Sequence, residues 1–178
     1  MLRSIDVPQA NALETVRQVV YAIDLGVRRI DDLADFTGFS TRHAGYRVHA
    51  ARILGLIRLN DDEATITALG ERLLCADPQS EKERAVFYDA IAGSAVIQLL
   101  VPDLLSLVPP SSDTITARLF RQTKLRETTA QRRAGGLLAW RRYVYGEPGL
   151  DRPPSRKRKE KRSATEPTQG VQLDLFKL

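Results

Sequence analysis

The chain has 178 residues, of which 43% are hydrophobic, and a formal net charge of +5. This length and composition allow a buried core and either one domain or two small ones. Cys75 is the single cysteine, which excludes an intrachain disulfide, and no group of Cys and His has metal-ligand spacing. The N-terminus lacks an apolar signal-type region, and no stretch reaches the roughly 18 apolar residues of a membrane helix. We expect a soluble cytoplasmic protein without a membrane segment, metal or cofactor.

The charge is distributed unevenly along the chain. Residues 60–111 contain three basic and nine acidic side chains, whereas residues 112–145 contain eight basic and two acidic ones. Residues 151–162 carry seven basic and two acidic side chains. This pattern predicts one acidic and one cationic region, and a cationic region is typical of proteins that bind polyanions.

Residues 1–78 have the pattern of a winged helix-turn-helix. Apolar residues between positions 11 and 24 recur at the spacing of one helical face, and Gly26 ends that helix. The next stretch is predicted to form a short helix, a turn at TGFS, and a longer helix capped by Ser40 or Thr41. LIRL and ATIT around the polar NDDE indicate a β-hairpin. ALGERLLCAD resumes a helix, in which Cys75 is expected to be buried.

Residues 79–145 are predicted to form a helical domain. Residues 80–107 are mostly apolar and helical, with Pro102 starting or kinking an element. Ser112 or Asp113 can cap the helix TITARLFRQTK, and a turn near LRET leads into a longer basic helix. These elements form a possible second helix-turn-helix. The Gly and Pro residues of GEPGLDRPPS predict that the folded part ends near residue 145.

The longer helix of the first unit can be sorted by face, since an α-helix turns by about 100° per residue. Ala44, Val48, Ala51 and Gly55 fall together and are predicted to pack inward. The other side carries side chains that can donate to guanine edges or to phosphates. The DNA-binding residues predicted on this helix are Thr41, Arg42, His43, Tyr46, Arg47 and His49. The alternative is an ordinary solvated helix.

The basic helix of the second unit has an inward stripe consisting of Ala130, Ala134, Leu137, Trp140 and Val144. Gly135 and Gly136 would permit close approach of a backbone. The DNA-binding residues predicted here are Arg126, Thr128, Gln131, Arg132 and Arg133, and further phosphate contacts are expected from Arg141 and Arg142. The alternative is that this helix pairs with the acidic middle segment of the same chain.

The stretch from IDDLADFTGFSTRHAGYRVHAARILGLIRL to ALGERLL, followed by TTAQRRAGGLLAW, resembles the winged-helix modules appended to bacterial restriction-system and other DNA-transaction proteins. The resemblance implies DNA contact by the helix that starts near Ser40, and it implies no reaction. The hairpin tip departs from the DNA-gripping pattern. It reads Asn60, Asp61, Asp62, Glu63, and its acids would repel a phosphate backbone.

The C-terminal segment divides into a basic linker, residues 146–171, and a terminal peptide, residues 172–178. The linker sequence SRKRKEKRSATEPTQG is too charged to bury a core, so we expect a flexible tether. Gln172, Leu173, Asp174, Leu175 and Phe176 are similar to the clamp-binding peptide of bacterial replication and repair proteins. That resemblance implies docking on the ring-shaped sliding clamp. The alternative is that the peptide folds back onto its own domain.

The sequence thus predicts a mainly α protein that is not an enzyme. We expect a nucleoid-associated bacterial protein that binds double-stranded DNA and is recruited to the DNA polymerase sliding clamp, in replication, repair or defence. One alternative is a sequence-specific transcription regulator. Another is a protein-interaction subunit of a restriction or repair complex. The target DNA sequence and the oligomeric state are not readable from the residues.

Overall fold

The computed structural model describes residues 1–60 and 63–147. Within these ranges the chain forms eight α-helices and one two-stranded antiparallel hairpin, which confirms the prediction of a mainly α fold with a short hairpin. A 3₁₀ turn covers Ser4–Asp6. The elements are α1 (Leu13–Asp24), α2 (Ile30–Thr37), α3 (Thr41–Ile53), β1 (Ile57–Asn60), β2 (Glu63–Ile66), α4 (Ala68–Leu74), α5 (Glu81–Gly93), α6 (Ala95–Leu100), α7 (Ser112–Gln122) and α8 (Glu127–Val144).

The first unit consists of α1 to α4 with the hairpin. Ser40 caps α3 by accepting a hydrogen bond from the backbone N–H of His43, which confirms one of the two predicted caps. Gly38 ends α2 in the left-handed conformation, with φ of 71°, and thereby sets the turn that redirects the chain into α3. In the hairpin, Ile57 pairs with Ile66 and Asn60 with Glu63. α3 packs against α1 and α2, so one of its sides is buried.

The second unit consists of α5 to α8. The prediction that the chain is helical as far as residue 107, with Pro102 starting or kinking an element, is wrong after Leu100, where α6 ends and Pro102 lies in the irregular segment that follows. The cap of α7 is Ser111, one residue before the predicted position, and its side chain accepts from the N–H of Thr114. α7 and α8 pack closely on each other around a turn at residues 123–126.

One continuous hydrophobic cluster joins the two units. Its members run from Val7 to Val144, and Trp140 of α8 and Phe87 of α5 are fully buried within it. The predicted inward stripe of α8 is confirmed, because all five of its residues are buried: Ala130, Ala134, Leu137, Trp140 and Val144. The two units are therefore packed against each other through a shared core.

Two placements differ from the prediction. Cys75 is exposed, because α4 ends at Leu74 and Cys75 lies at the helix end beyond the buried Leu73. Gly55 is also exposed and does not continue the inward stripe of α3. It follows the end of the helix with φ of 70°, a conformation that glycine adopts without strain.

None of the helices in the part of the chain that the structure covers is both long and apolar enough to cross a membrane.

Gly70 in α4 is the position at which the packing tolerates no side chain. A Cβ there would lie 2.2 Å from the carbonyl oxygen of Leu56 and 2.8 Å from Cγ1 of Ile66. We expect Gly70→Ala to lower the free energy of unfolding by about 1–3 kcal/mol, since backbone must move to admit the methyl group. The measurement is urea denaturation followed by circular dichroism.

The matched control is Gly93→Ala at the end of α5, where a Cβ would meet no atom within 4 Å. This change should leave stability unchanged or raise it by up to about 1 kcal/mol, because alanine has less conformational freedom to lose on folding. Equal effects of the two substitutions would contradict the packing described for the junction of α4 with the hairpin.

Candidate nucleic-acid interface

The N-terminal turn of α3 presents polar side chains to solvent. Thr41, Arg42 and His43 are all exposed there. Nε of Arg42 donates a hydrogen bond to the hydroxyl of Tyr46 one turn later, and the guanidinium carbon lies 5.5 Å from the centre of that ring. This contact holds the tyrosine on the same side of the helix as the exposed first turn.

Arg47 is half-buried and held in place by neighbours. Its guanidinium carbon lies 4.0 Å from the centre of the Phe39 ring, and Nη1 donates to the carbonyl oxygen of His43 at 2.8 Å. Burial lowers the pKa of Arg47 from its usual value. The side chain is thus a positioned cation rather than a freely moving one.

The prediction that His49 lies on the solvent-exposed face of α3 is wrong. It is half-buried, and burial together with the neighbouring charge of Arg52 lowers its pKa, whereas Asp6 raises it. The 3₁₀ turn at Ser4–Asp6 packs on α3, a tertiary contact that helix geometry alone does not include.

The outer face of α8 follows the predicted periodicity. Thr128, Gln131, Arg132 and Gly135 are exposed, one helical turn apart or less. A Cβ at Gly135 would meet no atom within 4 Å, whereas one at Gly136 would lie 3.7 Å from Cβ of Asn11. Gly136 therefore faces the N-terminal segment, and Gly135 faces open space.

Arg133 lies inside the protein, although the preceding residue, Arg132, is exposed. Only 4% of it is exposed. Nη1 donates to the carbonyl oxygens of Ser4 at 2.6 Å and Val7 at 3.1 Å, and Nη2 donates to Oγ of Ser4 at 2.8 Å. A contact between a phosphate and these two nitrogens would require breaking those bonds. Arg141 is likewise buried, and it donates to Glu147 and to the carbonyl oxygen of Ser106.

The N-terminal segment, residues 2–11, connects both units. The N–H of Leu2 donates to the carbonyl oxygen of Gln122 at the end of α7, at 3.0 Å. Asp6 accepts from Arg52 of α3 at 3.2 Å, and its carboxyl pKa is held below the usual range, chiefly by the hydrogen bond from Arg3. Together with the bonds from Arg133, these contacts fix the segment between α3, α7 and α8.

A cleft of about 510 Å³ opens where α3, α8 and the N-terminal segment meet. We call it the α3/α8 cleft. It brings together five of the residues predicted to bind DNA, from helices far apart in sequence. Its lining includes His43, Tyr46 and Arg47 of α3, Arg132, Arg133, Gly135, Gly136 and Arg142 of α8, and Pro8, Gln9, Ala10 and Asn11.

The α3/α8 cleft is cationic. Four arginines and one histidine line it, and none of its described lining residues carries a carboxylate. Arg47, Arg132, Arg133 and Arg142 form no ion pair with any carboxylate in residues 1–60 or 63–147. Their positive charge is therefore not neutralised by that part of the protein, which favours an anionic ligand.

The other predicted residues lie outside the cleft. Thr128 and Gln131 line a separate groove of about 430 Å³ between α7 and α8, together with the carboxylates of Asp113 and Glu127. Arg126 is exposed at the start of α8. The groove is therefore a poorer surface for phosphate than the cleft.

Sequence reasoning missed the contribution of residues 8–11. Their sequence, PQAN, carries no charge and no motif that indicates a ligand. Hydrogen bonds from Arg133 to residues 4 and 7, from Arg52 to Asp6 and from Leu2 to Gln122 hold the segment that contains them. The one signal in the sequence was Arg133, an arginine beside the inward stripe of α8. Its hydrogen-bond partners are set by tertiary packing and cannot be read from the sequence.

Comparison of the chain with protein-family models, with curated proteins and with solved structures gives no match. The candidate interface therefore rests on the geometry and charge of the described residues.

Two adjacent arginines of α8 should respond differently to the same substitution. We expect Arg133→Met to lower the free energy of unfolding by about 2 kcal/mol, because it leaves the buried carbonyl oxygen of Val7 without its donor and removes both hydrogen bonds to Ser4. Arg132→Met should change stability by less than about 0.5 kcal/mol, because the side chain is exposed. Urea titration of both variants checks this, and a similar loss in the two would contradict the assigned role of Arg133.

Proposed function

We propose that this chain is a non-enzymatic DNA-binding protein that its C-terminal peptide recruits to a bacterial sliding clamp, in replication, repair or defence. One observation carries the DNA-binding part: two helices from separate units contribute to a single cleft lined by four arginines and no described carboxylate. Cationic surfaces of this kind supply the salt-dependent, sequence-independent part of affinity for nucleic acid.

The exposed N-terminal turn of α3 supports contact with duplex DNA. In helix-turn-helix proteins the N-terminal residues of the second helix meet base edges in the major groove. Thr41 and Arg42 occupy that position here and are exposed. Arginine can donate two hydrogen bonds to guanine, so Arg42 is the residue proposed to read sequence. Arg132 and Arg142 of the cleft then hold the backbone.

The hairpin has no role in this proposal. Glu63 is exposed at the start of β2, and its charge opposes approach of phosphate. Asp61 and Asp62 lie outside the described residues. Contact with DNA is assigned to the helices alone.

The clamp-binding part is supported by sequence. Gln172, Leu173, Asp174, Leu175 and Phe176 lie outside the described residues, so the proposal rests on the match of all five positions to the clamp-binding pattern. The 26 residues between Tyr145 and Gln172 can span at most about 90 Å. That reach is sufficient for one chain to contact DNA and a clamp that encircles it, and the two weak contacts then reinforce each other.

A second candidate function is that of a protein-interaction subunit. It is favoured by two neighbouring apolar residues of the irregular segment before α7, since Leu107 is 93% exposed and Val108 is 85% exposed. Exposed apolar side chains of this size are found at protein contacts. In this case the cleft would meet an acidic partner protein instead of DNA.

Removing positive charge from the cleft should weaken duplex binding in a salt-dependent way. We expect the full chain carrying both Arg132→Gln and Arg142→Gln to bind a fluorescent duplex less tightly. The slope of log affinity against log salt should fall by about 0.9 for each lost phosphate contact. Fluorescence anisotropy at several salt concentrations measures both quantities.

The control for this experiment is Arg121→Gln, which removes an exposed arginine of α7 that does not line the cleft. It should leave the salt slope within error of the unmodified chain. No duplex binding by the unmodified chain, or equal loss in control and double variant, would refute the proposed DNA surface.

The clamp contact should depend on the aromatic anchor of the peptide. We expect Phe176→Ala to weaken binding of the full chain to purified bacterial sliding clamp by at least about tenfold, because truncation of a central anchor costs about 2 kcal/mol or more. Lys177→Ala lies outside the five-residue match and should change affinity less than twofold. Equal binding by both variants, measured by isothermal titration calorimetry, would show that the match is accidental.

A further inference from the structure

Arg133 is a buried cation that forms no ion pair with a carboxylate of residues 1–60 or 63–147. Its Nε–H is buried and has no hydrogen-bond partner among the described residues, although both terminal nitrogens are bonded. Burial and the neighbouring charge of Arg132 lower its pKa to about 10, so the side chain is still a cation at neutral pH. A buried cation without an anion is unfavourable, and an anion in the cleft that Arg133 lines would offset that cost.

The shape of the cleft favours a small ligand. Its volume of about 510 Å³ lies in the range of about 300–1,000 Å³ that is typical of small-molecule sites. When a protein binds in the major groove, an element of the protein projects into the DNA. A concave site on the protein instead receives a projecting part of the ligand. The part of a nucleic acid that can project into such a site is an unpaired nucleotide.

Two rings of α3 offer a surface for a base. His43 and Tyr46 both line the cleft, with ring centres 5.9 Å apart and planes tilted by 52°. The hydrogen bond from Arg42 to the Tyr46 hydroxyl limits rotation of that ring. Unpaired bases stack on aromatic side chains held in this way, with little dependence on base identity.

Gly135 leaves part of the cleft wall on α8 open. It lies inside α8, where glycine lowers helix stability relative to alanine, and no packing contact within the described protein requires it. It is exposed and lines the cleft. Any larger side chain at this position would occupy space that a ligand could use.

We propose that the α3/α8 cleft binds one unpaired nucleoside phosphate, with the phosphate near Arg133 and Arg132 and the base against Tyr46. The inference rests on the proposed function for the class of ligand, nucleic acid, and it adds a preference for an unpaired nucleotide. The same chemistry is offered by the end of a DNA strand and by a free nucleotide, and the experiment separates these two sources.

The test uses the full chain, two fluorescent duplexes and two competitors. Binding of a fluorescent blunt duplex is compared with binding of the same duplex carrying a three-nucleotide, 5′-phosphorylated overhang. Thymidine 5′-monophosphate is then added as a competitor of the overhang duplex. Thymidine serves as the phosphate-free control for this competitor. We expect the overhang to bind at least about fivefold more tightly than the blunt end. Gly135→Glu should reduce this advantage to less than twofold, because it places bulk and negative charge in the cleft.

The matched control is Gly93→Glu, which makes the same change at an exposed helical glycine away from the cleft, where a Cβ also meets no atom. It should retain the full advantage. Circular dichroism checks the fold of both variants. Tyr46→Ala provides a second variant, expected to reduce the advantage at least threefold through loss of the stacking ring.

The outcomes separate the inference from the proposed function. Displacement of the overhang by thymidine 5′-monophosphate but not by thymidine supports a site for free nucleotides. Absence of displacement with a retained overhang advantage supports a strand end.

Equal binding of blunt and overhang duplexes without competition overturns the inference and leaves duplex binding intact. Binding of the overhang but not of the blunt duplex, with loss in Gly135→Glu, refutes the proposed duplex function and leaves the inference standing. Equal effects of Gly135→Glu and Gly93→Glu overturn the inference.

Discussion

The arrangement of the candidate interface depends on the buried guanidinium of Arg133. It donates to backbone carbonyl oxygens of Ser4 and Val7, which are more than 120 positions away in the sequence. The same N-terminal segment is bonded to α3 through Asp6 and to α7 through Leu2, so Arg133 adds hydrogen bonds between the two helical units to the hydrophobic core that they share. The cost of burying its charge is offset only in part, since Nε has no hydrogen-bond partner among the described residues.

The position of the N-terminal segment determines where the positive charge of α3 and α8 accumulates. The acids of the middle segment are used elsewhere, as in the ion pairs of Asp89 with Arg72 and of Asp103 with Arg118. No such pair forms with the described carboxylates at Arg47, Arg132 or Arg142, so the cleft between α3 and α8 keeps its charge. The proposed binding of DNA and of an unpaired nucleotide both follow from that unneutralised charge.

Local signals in the sequence predicted the elements well, because caps and helix periodicity depend on neighbouring residues. Ser40 caps α3, and the five-residue stripe of α8 that includes Trp140 is buried as its spacing indicated. The candidate site was predicted only in part. Helix geometry placed His43, Tyr46, Arg47 and Arg132 on outer faces, but it could not show that two helices share one cleft.

The errors have a common physical origin in long-range packing. His49 is half-buried by tertiary packing, and Arg133 is held inward by carbonyl groups of the N-terminal segment, neither of which a helical wheel can represent. Residues 8–11 complete the cleft without any charge or motif of their own. The C-terminal peptide remains a prediction from sequence alone.

The central claim is that α3 and α8 act as one nucleic-acid surface, and hydrogen exchange measured by mass spectrometry tests it most directly. Addition of duplex DNA to the full chain should slow amide exchange in both residues 41–53 and residues 127–144, with little change in residues 81–100. Slowing in only one of these two helices, or slowing confined to the hairpin at residues 57–66, would contradict the account.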